Sequence, residues 1–305
     1  MTTLQAKIRR RDSGIVLYGL TPPKAVTPGE RLAEIAATQI ERIRGLGVDG
    51  VVLYDLQDEA ERTDQARPFP FMATVDPGDY ARDALQALAL PKIIYRCVGK
   101  YAPSQFAALL REAPSDLTVL VGAASRRQPV ALTVSEAYAL RHSVRPELLV
   151  GGVAIPERHL QKHDEHLRVL AKVAQGCSFF ITQCVYNAEA AKSFLSDYYY
   201  ECQRRALAMV PIIFTITPCG SLKTLEMMRW LGISVPRWLE NDLAHAVDIL
   251  DSSLRACRDI FADLQDYAAR KAIPIGVNVE SLAIRKDEIA ASQQLVRDLA
   301  SCFRT

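Results

Sequence analysis

The chain has 305 residues, 49% of them apolar, enough for one large buried core. Lys and Arg number 37 against 35 for Asp and Glu, and the resulting net charge of +2 gives no field that would gather nucleic acid or an acidic membrane, so a small-molecule partner is expected. Seven cysteines, odd in number and without a Cys-x-x-Cys pair, suit reduced core thiols in a cytoplasmic protein rather than a disulfide frame or a zinc site.

The opening MTTLQAKIRRRDSG is basic, with no apolar h-region behind it, and the longest apolar run, around 208–216, is too short to span a bilayer; neither secretion nor membrane insertion is expected. Eight β-rich runs then follow at 14–19, 50–55, 92–98, 117–124, 148–155, 178–184, 210–216 and 273–279. Each is nearly continuous in Val, Ile, Leu and Phe, as suits a parallel strand covered on both faces. Between them lie amphipathic segments with marked starts: Thr27-Pro28 ahead of 29–46, Pro103-Ser104 ahead of 105–113, Thr133 ahead of 134–143 and Pro156-Glu157 ahead of 158–175. Alternation of this kind predicts an α/β fold, a closed (β/α)8 TIM barrel forming a single domain over 1–305. No Gly-x-Gly-x-x-Gly follows a strand, which argues against a Rossmann dinucleotide domain.

Such barrels keep their chemistry at the carboxyl ends of the strands. There the second strand offers Tyr54 and Asp55, and an Asp against apolar walls could hold a proton as a general acid or simply cap the following loop. That loop, 56–76, is long and charged, suiting either a lid or an ordinary surface excursion. Lys100 and Arg126-Arg127 bring positive charge to the same rim. After the fifth strand, IPERHLQKHDEHLRVLAKV carries Glu157, His159, His163, His166 and Lys172; the spacing puts the three histidines on one helical face, where they could in principle hold a metal or meet phosphates, but a solvated polar face is the commoner use and no metal site is expected. Gln183 ends the sixth strand, where its amide can both donate to and accept from a heterocycle. Cys184 and Cys219 have no neighbouring histidine to activate them and read as packing.

GCSFFITQCVYNAEAAKSFL, PIIFTITPCGSLKTLEMMRWLGISVPRWL, the turn IPERH and LYGLTPPK together resemble the methylenetetrahydrofolate reductases, most specifically over 176–240. The resemblance implies a barrel that passes a hydride from NAD(P)H, through FAD, to the one-carbon unit of a reduced folate. It matches Gln183 to a folate-contacting glutamine preceded by Thr182, and His159 and Lys172 to positions near the FAD adenosine and pyrophosphate. Tyr54, Arg62-Thr63, Pro218 and Trp238 also fall on family-like positions.

The departures concern chemistry. Gly19 stands where the family has its proton-donating glutamate, Ala124 or Ser125 where it has an aspartate, Leu53 and Ile94 where it has flavin-ring contacts, and Leu222 where a phenylalanine sandwiches the substrate. Asp55, Glu157 and Tyr18, in that order, are the replacement acids the resemblance suggests. The expectation is therefore a cytoplasmic folate-linked oxidoreductase with an altered active site, Asp55, Glu157 and Gln183 as its catalytic residues, and Tyr54, His159, Lys172 and Thr182 on its cofactor. It could form a homo-oligomer. The alternatives are a catalytically silent homologue that binds a folate- or flavin-like ligand or a protein partner, and a barrel recruited to another small molecule.

Overall fold

A computed structural model describes residues 3–59, 63–123, 129–282 and 285–303. Eight parallel strands, β1 (Ile15–Leu20), β2 (Gly50–Leu53), β3 (Lys92–Cys97), β4 (Leu117–Val121), β5 (Leu149–Ala154), β6 (Cys177–Cys184), β7 (Ile212–Ile216) and β8 (Ile275–Val279), close into a barrel in sequence order. All eight correspond to the runs expected from sequence, and the fold is a (β/α)8 TIM barrel. Local signals start the helices as expected: Thr133 and Glu136 form a reciprocal capping box, and Pro103 and Pro156 occupy first turns.

Side chains alternate along each strand, so the barrel has two cores. Ile15, Leu17, Val52, Ile93, Leu117, Val119, Phe179, Ile181 and Ile213 fill the interior, together with Leu4 and Ile8 of the first helix, Leu4–Arg10. The outward residues, including Tyr18, Leu53, Ile94, Phe180 and Phe214, pack under the helices. Leu53 and Ile94 are therefore not mouth positions. Their neighbours Tyr54 and Tyr95 belong with the interior core, their rings in edge contact at 5.0 Å, because a shift of one residue reverses the face a strand residue presents.

The segment 158–175 is not one helix. It runs as Pro156–Lys162 and Glu165–Ala174, broken where His163 takes a left-handed conformation at φ 50°. Between β7 and the long return helix Ile249–Ala269, two short helices, Leu222–Trp230 and Arg237–His245, are inserted.

The connection after β2 is clasped on both sides. Its far end bonds to the loop after β1 through Ala25 N–H to Ala73 O and Val75 N–H to Pro23 O. Its middle meets the segment after β7: Trp230 Nε1 donates to Gln65 O at 3.0 Å, the Arg67 guanidinium lies 5.4 Å from the Phe71 ring and 5.0 Å from Trp230, and Lys223 sits over Phe69. The loop thus spans from β2 to β7 past the ends of β1 and β8. Among the described residues, no helix is long and apolar enough to cross a membrane.

Candidate functional site

Inward parity brings Gly19, Tyr54, Gln183, Thr215, Thr217, Asn278 and Glu280 to the carboxyl end of the barrel. Asn278, fully buried, donates from Nδ2 to the Tyr54 hydroxyl at 2.8 Å and to Thr215 Oγ1 at 3.2 Å. With its lone pair taken, the Tyr54 hydroxyl turns its own proton to the Glu280 carboxyl. Thr217 Oγ1 donates to Glu280 Oε1 at 3.4 Å.

Glu280 is a carboxyl at the mouth that sequence reasoning missed. It follows Val279 directly, and β8 lies beside β1 with Tyr18 opposite Val279, so Glu280 comes level with Gly19. Burial raises its pKa, and the hydrogen bonds from Tyr54 and Thr217 only partly offset this. The available signal was the Val-Asn-Val-Glu ending of the last strand, a carboxylate at a strand's carboxyl end like Asp55.

The acids expected from sequence are placed otherwise. Asp55 is buried at the rim, where it accepts from Cys97 N–H at 2.8 Å and pairs with Lys100 Nζ at 2.6 Å. Lys100 is thereby committed to Asp55 rather than to a ligand. Tyr18 faces the helix layer and bonds Ser292 Oγ at 2.9 Å, away from the mouth. Glu157 is buried beyond β5 with no partner from another residue for either oxygen, and burial, with nearby Glu165 adding, raises its pKa to about 8. Cys184 and Cys219 are buried, which pushes the Cys219 thiol up to about 12 and Cys184 well above its ordinary value, as packing thiols should be.

Gln183 donates from Nε2 to Leu231 O at 2.8 Å, at the end of the first inserted helix, which fixes the amide and leaves Oε1 as its remaining acceptor. The other residues matched to cofactor positions have partners within the chain. Thr182 Oγ1 accepts from Thr215 N–H at 3.0 Å across the register shift between β6 and β7. Lys172 donates to Val153 O at 2.7 Å and lies over the Phe180 ring in the helix layer, where burial lowers its pKa. His159 Nε2 lies 2.9 Å from Asp197 Oδ2, between helices. A flavin dinucleotide needs free donors at its phosphates; with Lys172 and His159 set inward, these residues do not fit that group. Arg62, Ala124, Ser125, Arg126 and Arg127 lie outside the described residues. Trp238 is exposed, as is Leu222.

The molecule is thus a TIM barrel whose inward polar groups converge on one end, around the buried carboxyl of Glu280. The family model of methylenetetrahydrofolate reductase matches residues 133–264. A Clostridium thermocellum protein whose structure holds two copies of 5-methyl-5,6,7,8-tetrahydrofolic acid is 51% identical, over 98% of this chain and 99% of its own, with a TM-score of 0.87. The chain belongs to the methylenetetrahydrofolate reductase family. Oxaloacetate acetylhydrolase, 14% identical over 99% of this chain and 86% of its own with a TM-score of 0.50, shares the fold alone. No match was found among curated proteins.

Proposed function

We propose that this chain binds a reduced folate at the barrel mouth and acts as an oxidoreductase on its one-carbon unit, with Glu280 as the acid. In 5,10-methylenetetrahydrofolate the carbon bridges two nitrogens. Opening the bridge breaks one C–N bond, whose electron pair leaves with the nitrogen and takes up a proton; the iminium carbon left on the other nitrogen accepts a hydride and becomes a methyl group. Glu280 donates that proton, Tyr54 and Thr217 orient its carboxyl, and Gln183 Oε1 accepts from the pterin's N–H donors. A reduced nicotinamide, the second substrate, supplies the hydride.

The observation that carries this reading is the buried carboxyl of Glu280 beside Gly19, where the family's glutamate would begin, with burial raising its pKa. The ligand class is supported by the folate-binding relative at 51% identity. The test is calorimetric titration with 5-methyltetrahydrofolate, giving affinity and stoichiometry, beside the absorbance of NADH or NADPH consumed with the methylene form. Saturable binding, weakened about tenfold in Gln183→Ala, and turnover lost in Glu280→Gln are expected. Absence of saturable binding to any reduced folate overturns the proposal. Binding without turnover would support a second reading, a ligand-binding homologue without catalysis, which the internal partners of Lys172 and His159 favour.

A further inference from the structure

On the outside of the barrel, the helices Pro156–Lys162, Glu165–Ala174 and Ala188–Arg205 pack together. Each sends one side chain to a common point: His159, His166 and Asp197 each offer a ligand atom, and the three atoms lie within 4.8 Å of one another. On an unbroken helix His159 and His166 would be separated by a rise of about 10 Å. The left-handed turn at His163 removes that separation and brings the two imidazoles to 5.3 Å between ring centres.

The protein satisfies the cluster only in part: His159 Nε2 lies 2.9 Å from Asp197 Oδ2, and two ring nitrogens are left over. His159 is 1% exposed, yet its Nδ1 has no hydrogen-bond partner, and the Nδ1 of His166 is likewise buried and unpaired. Buried imidazole nitrogens ordinarily find a donor, an acceptor or a metal. Asp197 keeps half of its side chain in solvent, which gives an ion a route in and a place for water among its ligands. Arg205, the nearby positive group, is paired with Glu201.

We infer that His159, His166 and Asp197 form a binding site for one divalent cation of the zinc class, joining three helices outside the barrel mouth. Two imidazoles and a carboxylate are the donors of such an ion, held about 2.0–2.2 Å away. The site stands independently of the folate reading.

The test is titration of the metal-free whole chain with zinc against a chromogenic chelator, and with cobalt(II) for its visible bands. One equivalent is expected, with affinity reduced about tenfold or more in His166→Ala and in Asp197→Asn. His163→Asn, which tolerates the left-handed turn, retains the affinity. On the unmutated chain, zinc should shift the imidazole proton resonances of His159 and His166, a readout that needs no variant to fold. Less than one equivalent, unshifted resonances, or unchanged affinity in folded His166→Ala overturns the inference.

Discussion

A Cβ on Gly19 would stand 2.9 Å from the Cβ of Glu280 and 2.8 Å from the Tyr54 hydroxyl, closer than such atoms approach in proteins. An acid on β1 and an acid on β8 therefore compete for one volume, and Gly19 is the vacancy that Glu280 and Tyr54 fill. Gly19→Ala should destabilise the fold by about 1–3 kcal/mol through overpacking. Chemical denaturation measures this, and addition of Glu280→Gly should return part of the loss as a coupling energy between the two sites, the Tyr54 contact remaining.

Glu280→Gln keeps the shape of the side chain and removes its proton. On the proposed chemistry, turnover should fall about 10²–10⁴-fold while folate affinity changes little. Because burial raises the pKa of Glu280, activity is present while the carboxyl is protonated and declines as pH rises through that pKa, above the ordinary carboxylate range. A pH–rate profile of the wild type should show this limb. Equal turnover in the variant would remove Glu280 from the mechanism.

Glu157 offers a separate test, on stability. Its folded pKa of about 8 exceeds the ordinary value of 4.5, so the folded chain holds this proton more tightly than the unfolded chain does. The contribution is complete below the unfolded pKa and is lost as pH rises through about 8. Urea unfolding followed from about pH 5 to about pH 9 should show the decline, and Glu157→Gln, which cannot ionise, should flatten it.

The clasp on the loop after β2 predicts a kinetic effect. Trp230→Ala removes both the hydrogen bond to Gln65 O and one of the rings beside Arg67, interactions worth about 1–2 kcal/mol together. A several-fold faster folate release in stopped-flow fluorescence, with faster proteolysis of the loop, is the expected result.

Lys100→Ala should cost about 1–3 kcal/mol in thermal or chemical unfolding, since it leaves the buried Asp55 side chain, among the described residues, with the Cys97 N–H as its hydrogen-bond donor. A neutral result would mean that Asp55 is solvated in the folded chain.

The barrel was legible because each strand is an apolar run bounded by helix-starting residues, and the position of Gln183 followed from its place at a strand end. Facing was harder to read. In the first half of the chain the family likeness is faint, and a displacement of one residue put Leu53 and Ile94 at a mouth that Tyr54 and Tyr95 occupy. Glu280 escaped because the missing acid was sought on the strands and loops of the family pattern, whereas contact between β1 and β8 exists only once the barrel closes. The histidine cluster depends on the turn at His163, where a residue other than glycine adopts a left-handed conformation that no sequence periodicity announces.

Leu4 and Ile8 seal the floor of the barrel with side chains 1% exposed, so the interior is no conduit and, on the proposed chemistry, whatever reacts beside Glu280 shares a single doorway. Departing methyl-folate and arriving methylene-folate would then queue for the same threshold, and each should act as a competitive inhibitor of the other.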